Sequence, residues 1–268
     1  MKKTLLKFPI AIILIAIYSC SDSNKASNDA IIDEVDLVAD TIIEIEEKTD
    51  NAKNEDLDAI VSLFNFAEEL PFDLDTIYIA DIINSTKNYE ALNTEQVKYL
   101  AANLMEEGPS EFAIWDLEGF YKMDSIKSNG KYDEYMENID LGMLQTCEIH
   151  AIWNIPYKSG NILIWRYTYA TMDACPYASG TKFFMTVTDG ENIGSTAVLA
   201  VEMSGGDPPS FMSESTYGKI SADGKITVMF KEIFGEHDGG DAISEETKEK
   251  TYKFNILEKG EIKFIKVL

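Results

Sequence analysis

Much of the chain after residue 140 alternates between apolar and polar residues, which is the pattern of β-strands that bury one face. Cys147, Ile149 and Ala151, for example, are each separated by one polar residue. Pairs such as Ser159-Gly160 lie between the successive runs and predict tight turns. The predicted strands lie within residues 147–153, 163–169, 183–187, 197–203, 226–230, 252–256 and 262–264.

Short turns between these strands predict a mainly β fold of the α+β class. Parallel strands need crossover connections of a dozen or more residues, so the short turns favour an antiparallel meander. Eight or so strands suffice for a large curved sheet, a sandwich or a barrel, and the sequence leaves these three open.

A small helical segment is predicted before the β-rich part. Asn93-Thr94-Glu95-Gln96 has the residue order of a capping box, and apolar residues follow it at helical spacing. We therefore predict a helix over residues 94–106 that ends before Gly108-Pro109.

Two further strands are predicted in or next to this segment. Ile77-Tyr78-Ile79 follows Pro71, which should stop any preceding helix, and its β-branched residues indicate a short strand. Residues 112–126 are expected to contain another strand, followed by a turn at Asn129-Gly130.

The first 19 residues have the pattern of a secretory signal peptide. Lys2, Lys3 and Lys7 are followed by an uninterrupted apolar run of 11 residues, from Phe8 to Tyr18. Because a membrane-spanning helix needs about 20 apolar residues, this run predicts the hydrophobic region of a signal peptide.

The run ends in Ile17-Tyr18-Ser19-Cys20, which resembles the lipobox of bacterial lipoproteins: an aliphatic residue, a small residue and then cysteine. The resemblance implies that the Cys20 thiol receives a diacylglyceryl group, that the chain is cut before Cys20 and that the new amine is acylated. Several acyl chains, at about 0.8 kcal/mol per buried methylene, anchor a protein to a bilayer permanently. Ser21 after the cysteine implies, by the same resemblance, the outer membrane. An ordinary secretory signal with a chance cysteine is the alternative.

Residues 20–58 differ in composition from the rest of the chain. Residues 21–58 contain 13 acidic residues and 3 lysines, with no aromatic residue, glycine or proline, which predicts a self-repelling tether. An apolar stripe between Ile31 and Ile45 allows either a docking helix or a transient helix there. The predicted organisation is a signal peptide over 1–19, an acidic lipid-anchored tether over 20–58 and one globular domain over 59–268, helix-containing over 59–110 and β-rich over 111–268. This order resembles that of envelope lipoproteins of Bacteroidota.

The charge and the scarce histidines exclude several function classes. The chain of 268 residues has 47 acidic and 23 basic residues, a formal net charge of −24, and loss of the three signal lysines makes it −27. Binding to nucleic acid needs clustered Lys and Arg, so a nucleic-acid partner is excluded. Two histidines and three cysteines also leave little material for histidine-centred catalysis or zinc sites.

If Cys20 is lipidated, Cys147 and Cys175 remain as a pair, and an oxidising compartment then favours a disulfide between them. The turn at residues 158–160 should bring residue 147 opposite a residue near 170, so that Cys175 can fold back over that end. Two buried free thiols are the alternative. His150 has the opposite parity to Cys147 in a regular strand, which disfavours a Cys–His catalytic pair.

The most acidic loop offers a candidate calcium site, the only cofactor that the sequence suggests. Glu236, Asp238 and Asp241 supply carboxylates among flexible glycines, and calcium prefers oxygen ligands. The loop lacks the spacing of an EF-hand, and a solvated hairpin tip is the interpretation that we prefer.

Aromatic residues cluster along the predicted strands and allow two interpretations. They form either a surface platform for glycans or, as strand spacing favours, part of the core and its cross-strand pairs. The residues are Trp153, Trp165, Tyr167, Tyr169 and Tyr177.

No catalytic motif emerges from the sequence: Gly-x-Ser-x-Gly, His-Glu-x-x-His, the P-loop and Gly-x-Gly-x-x-Gly are all absent. We therefore expect a lipid-anchored envelope protein, on the periplasmic or the surface face of the outer membrane. Its role is expected to be a non-enzymatic binding or structural module for a protein or glycan partner, and its acidity would steer a basic partner. A carboxylate-dependent hydrolase, with or without a metal ion, is the alternative, because the separation of paired carboxylates cannot be obtained from sequence.

Overall fold

A computed structural model describes residues 50–67, 69–83, 88–105, 108, 113–172, 177–207, 209–238 and 241–268. The helices in this part are α1 (Asp50–Val61), α2 (Thr76–Ile83), α3 (Thr94–Leu100), α4 (Ala113–Ser128) and α5 (Tyr132–Glu137). The strands in the same residues are β1 (Asn65–Phe66), β2 (Phe72–Leu74), β3 (Leu144–Tyr157), β4 (Gly160–Thr171), β5 (Tyr177–Thr188), β6 (Ile193–Gly206), β7 (Ser210–Ile220), β8 (Lys225–Asp238), β9 (Asp241–Ile256) and β10 (Ile262–Val267). A mainly β fold with a helical N-terminal segment is confirmed.

Most strands form a single antiparallel meander. Their order across the sheet is β1-β3-β4-β5-β6-β7-β8-β9-β10, and each consecutive pair from β3 to β10 is antiparallel. The short strand β1 lies parallel to β3. The predicted meander is therefore confirmed, and the described strands form an open sheet rather than a closed barrel.

The turn predicted at Ser159-Gly160 joins β3 to β4, and Cys147 lies opposite Tyr169, as the sequence predicted. Glycine is required in this turn because a Cβ atom on Gly160 would lie 2.2 Å from the carbonyl oxygen of Thr188. The β3–β4 turn therefore packs closely against the backbone of Thr188 and Gly190 at the end of β5.

The strand predicted at residues 77–79 is wrong, because this segment belongs to helix α2. Asp75 caps the helix: its Oδ1 accepts a hydrogen bond from the Tyr78 N–H at 2.9 Å, and its carbonyl accepts one from the Ile79 N–H at 2.9 Å. Ile79 and Ile82 are buried at a helical spacing of three. Capping and this spacing outweigh the β-branched composition.

The strand predicted within residues 112–126 is also wrong, since helix α4 covers residues 113–128. Leu117, Phe120 and Met123 are buried at steps of three residues, which is one face of a helix. The predicted turn at Asn129-Gly130 ends this helix, with Gly130 at a positive φ of 65°.

Helix α3 starts where the sequence predicted and ends earlier. The Asn93 side chain accepts a hydrogen bond from the Gln96 N–H at 3.0 Å, and the Gln96 side chain accepts one from the Asn93 N–H at 2.9 Å. The helix ends at Leu100 rather than residue 106, because residues 103–105 instead pair with the edge of β6.

Strands β6 and β7 pair at their hairpin end and then separate. Only residues 201–205 of β6 face β7. Beyond them β2 lies beside β7, with Phe72 opposite Ile220. Residues 103–105 line the freed edge of β6, where the Thr196 backbone both donates and accepts hydrogen bonds. Segments from the N-terminal part of the domain therefore fill the gap on both sides.

Two apolar cores lie on opposite faces of strands β3–β6. The first core joins these strands to β2, α2 and β7–β10, and the second core joins them to helices α1, α3 and α4. Representative residues of the first core are Leu74, Ile79, Ile164, Phe183, Leu199, Val228 and Phe254, and those of the second core are Phe120, Met123, Val97, Leu100, Trp165 and Phe184. None of the described helices combines the length and hydropathy needed to cross a membrane.

Candidate functional site

Several sequence-predicted residues fall outside the part of the chain that the structure describes. They are the whole lipobox with Cys20, the tether up to residue 49, and Cys175. The lipid anchor and the disulfide therefore stay predictions.

Cys147 is the one cysteine of the predicted disulfide that lies within the described residues, and it is buried. Cys147 is 2 % exposed, and its thiol donates a hydrogen bond of 3.5 Å to the Tyr167 hydroxyl on β4. Cys147 pairs with Tyr169, and β4 ends two residues later at Thr171. A bond to Cys175 therefore requires the connection from β4 to β5 to fold back over this face.

The acidic loop predicted to bind calcium connects β8 to β9. Glu236 is exposed on β8, and Asp238 lies opposite Asp241 at the hairpin end. Residues 239–240 and the side chains of both aspartates lie outside the part of the chain that the structure describes. Among the described residues no group of three or more His, Cys, Asp or Glu is arranged to hold a metal ion.

The aromatic cluster belongs to the cores. Trp165 and Tyr167 are fully buried, and Trp153 and Tyr169 are nearly so. The Trp165 ring stacks on Phe184 at a centroid distance of 4.2 Å. Core packing, the interpretation preferred from strand spacing, is confirmed for these four residues, and the Tyr177 side chain is not described.

A row of polar side chains crosses seven strands on a single face, and we call it the polar row. Each member is the register partner of the next, from β3 through to β9. Neighbouring strands are about 4.8 Å apart, so the row spans roughly 29 Å. Its members are Glu148, Thr168, Thr181, Glu202, Ser215, Lys231 and Glu249.

Hydrogen bonds fix the centre of the polar row. Glu202 Oε1 accepts a hydrogen bond of 2.8 Å from the Tyr217 hydroxyl, and Glu202 Oε2 accepts one of 3.1 Å from the Ser215 hydroxyl. Burial, together with the adjacent Glu202 carboxylate, raises the pKa of Tyr217, so the phenol stays a donor. The carboxylate is therefore held in place by two neighbours while remaining only half-buried.

A histidine and an arginine lie beside the β3–β4 end of the polar row. His150 is the register partner of Arg166, and Arg166 Nη1 donates a hydrogen bond of 3.4 Å to the Ile82 carbonyl. Burial and the adjacent Arg166 lower the pKa of His150, and Glu148 opposes that shift. Within the described residues His150 Nδ1 and Arg166 Nε are buried without a hydrogen-bond partner. Two buried polar atoms at this end of the row therefore have no hydrogen-bond partner among the described residues.

A groove of about 390 Å³ lies at the other end, over β7, β8 and β9. Lys231 Nζ and Glu249 Oε1 are 3.9 Å apart, both side chains are largely exposed, and Met229 is half exposed beside them. An exposed pair of this kind contributes little to stability, so its charges are available to a ligand. The groove is lined by Tyr217, Met229, Phe230, Lys231, Glu249, Lys250, Thr251 and Leu268.

Two turn carboxylates have lowered pKa values. The hydrogen bond from Lys225 and then that from Ser221 lower the pKa of Asp223 to about 2. Burial opposes the shift of Asp189, but backbone hydrogen bonds from Glu191 and Asn192 lower its pKa. Both groups order turns as carboxylates, whereas a general acid needs a raised pKa.

Sequence reasoning missed the polar row because the row depends on the register of seven strands. Strand β7, which carries Ser215 and Tyr217, was not predicted, since its segment has few large aliphatic residues. The one available signal was an alternation along the strand. It sets Ser213, Ser215 and Tyr217 on one face and Glu214 and Thr216 on the other, but the residues of both faces are polar.

Comparisons of this chain with protein-family models, with curated proteins and with solved structures gave no match.

Proposed function

We propose that this protein is a lipid-anchored envelope protein whose β domain binds a partner through the polar row and the adjoining groove. The lipobox resemblance at Ile17-Tyr18-Ser19-Cys20 supports the anchor, and the acidic tether supports a domain that stands away from the anionic membrane surface.

The polar row is the observation that carries the binding role. Strands β4 and β5 bury Ile164 and Phe183 in the first core. The same face carries the half-buried Thr168 four residues further along β4, and the buried Thr181 two residues away on β5. Hydroxyls and carboxylates at fixed spacing on a rigid sheet suit directional recognition of a polar partner. The net charge of −24 favours an encounter with a basic one.

The anchor is tested by metabolic labelling with palmitate in a bacterial host that processes lipoproteins. Wild type should carry label and sediment with membranes, and Cys20→Ala should lose both properties. Cys147→Ala is the matched control and should keep the label, because Cys147 is buried in the folded domain. An unlabelled wild-type protein would defeat the lipoprotein assignment.

The binding role is tested by affinity capture from native envelopes with the full-length protein. The variant Glu202→Ala/Lys231→Ala changes two side chains of the polar row, and we expect it to lose a partner that wild type retains. Glu95→Ala/Lys98→Ala, which removes an exposed pair on helix α3, is the matched control and should retain it. Equal capture by all three proteins would place binding elsewhere on the domain.

A further inference from the structure

The outer edge of β9 is open over half its length. On one side β9 pairs with β8 from Asp241 to Asn255, and on the other side β10 covers only residues 252–256. The last backbone bonds on the β10 side join Thr251 and Leu268, at 3.1 and 2.9 Å. From residue 250 towards the hairpin tip, no described segment pairs with this edge.

The backbone groups that face this open edge follow from the last bonded pair. Because Thr251 exchanges both of its backbone bonds with Leu268, alternation along the strand directs the N–H and C=O groups of Glu249, Thr247 and Glu245 to the same side. The register between β8 and β9 is regular over these residues, so the alternation is maintained. Six backbone donors and acceptors therefore point out from β9.

The charge of residues 231–250, which include the open edge of β9, determines which segments can pair with that edge. Residues 231–250 contain seven acidic residues and three lysines. Glu245 and Glu249, on the polar-row face, lie beside any strand added here. Charged side chains on an edge discourage pairing with strands of the same sign, whereas opposite charges across two strands are stabilising.

We propose that the open edge of β9 accepts an extended basic segment of a partner protein as an additional antiparallel strand. The added strand continues the line of β10, and its side chains on the polar-row face lie beside Glu249 at the mouth of the groove. Backbone bonds provide the pairing and basic side chains beside Glu245 and Glu249 provide the selectivity, which is the mode of β-strand addition. The inference rests on the proposed binding function and specifies its partner.

The test uses the full-length lipidated protein in detergent and a capped nine-residue peptide of alternating lysine and threonine. We expect saturable binding that weakens with salt, together with slower amide hydrogen exchange at Glu245, Thr247 and Glu249. A peptide of alternating glutamate and threonine should bind at least tenfold more weakly. Exchange that slows elsewhere, or equal binding of the two peptides, would overturn the proposal.

One substitution separates edge pairing from simple charge attraction. Thr247→Pro removes an outward N–H without removing any bond to β8, a position at which a sheet tolerates proline. It should weaken peptide binding at least tenfold, while Thr247→Val, which keeps the N–H, should bind within twofold of wild type. Unchanged circular dichroism confirms that both variants are folded, and wild-type binding by Thr247→Pro would rule out strand addition.

Two further outcomes are informative. A dimer that Thr247→Pro dissociates would show that a second copy occupies the edge, which overturns the inference. Loss of peptide binding with retained envelope capture through Glu202 and Lys231 would defeat the strand addition alone and leave the proposed function standing.

Discussion

Strands β4 and β5 carry very different side chains at their two ends, although these side chains share one face. At the inner end Ile164 and Phe183 are fully buried in the first core. At the outer end the same face carries the half-buried Thr168 and Ser179 and, between them and the core, the buried Thr181. Alternation along a strand shows which residues share a face, but the segments packed on that face decide where the core stops. The inner end provides stability, and we propose a recognition role for the outer end.

The largest effect on the free energy of unfolding is expected at the inner end of β5. Phe183→Ala removes a fully buried ring from the first core and should lower the free energy of unfolding by about 3–5 kcal/mol, because a cavity replaces it. Urea unfolding followed by tryptophan fluorescence measures the change. Ser179→Ala lies four residues away on the same strand and face, and it should stay within about 0.5 kcal/mol of wild type. A comparable loss in both variants would remove the distinction between the two ends.

The second prediction concerns a polar group that is structural rather than available to a ligand. The Thr196 hydroxyl is fully buried, donates a hydrogen bond of 2.5 Å to the Leu100 carbonyl and lies 2.7 Å from the Thr186 hydroxyl. Thr196→Val should lower the free energy of unfolding by about 1–3 kcal/mol, because it leaves buried partners unsatisfied. Thr196→Ser keeps the hydroxyl and should be clearly milder; the reverse order in urea midpoints would show that the methyl group matters more.

A smaller effect is expected at the N-cap of helix α3, one of the helices that cover the second core. Asn93→Ala removes the N-cap of α3 and should cost about 1 kcal/mol, as typical caps do. Asn93→Asp retains an acceptor for the Gln96 N–H and should behave like wild type in thermal unfolding. If Asp and Ala destabilise equally, the cap does not hold this helix.

The smallest expected effect is a pH dependence of stability that arises at His150, beside Arg166 of β4. His150 faces Arg166 and Glu148, and its pKa is lowered by burial and by Arg166. The unfolded chain therefore binds a proton more readily than the folded one, so stability falls as the pH drops through the ordinary histidine pKa of about 6.5. His150→Gln should reduce the loss between pH 7.5 and pH 5.5, measured as urea midpoints. An identical loss in the variant would assign the dependence to other groups.

The sequence predicted the elements whose signal is local. The alternation around Cys147 and Ile149 predicted β3, and Asn93 with Gln96 predicted the start of α3. Helices α2 and α4 were missed for a local reason as well. Asp75 as a cap, and the spacing of three between Leu117, Phe120 and Met123, are the local signals of these helices, and the strand predictions did not use them. These errors arose from signals that compete within a few residues.

The candidate site is a different case because its residues are far apart in sequence. Glu148 and Glu249 belong to one row only because six pairs of strands are in a particular register. Thr181 and Thr186 are both buried threonines of β5, and no local pattern shows that Thr181 belongs to this row whereas Thr186 contacts the Thr196 hydroxyl. The open edge of β9 was equally hidden, since it depends on where β10 stops.

The gap between β6 and β7 has a consequence for the order of folding. The hairpins of the meander close over short loops, whereas β2 reaches β7 across 146 residues, at the Asp73–Lys219 pair. Pairing at such separation carries a larger loop-closure entropy, so we expect β2 to dock last. Until then the inner edge of β7 stays unsatisfied, which makes this the stage most open to pairing between chains. In a chain synthesised from its N-terminus, β2 emerges long before its partner strand exists.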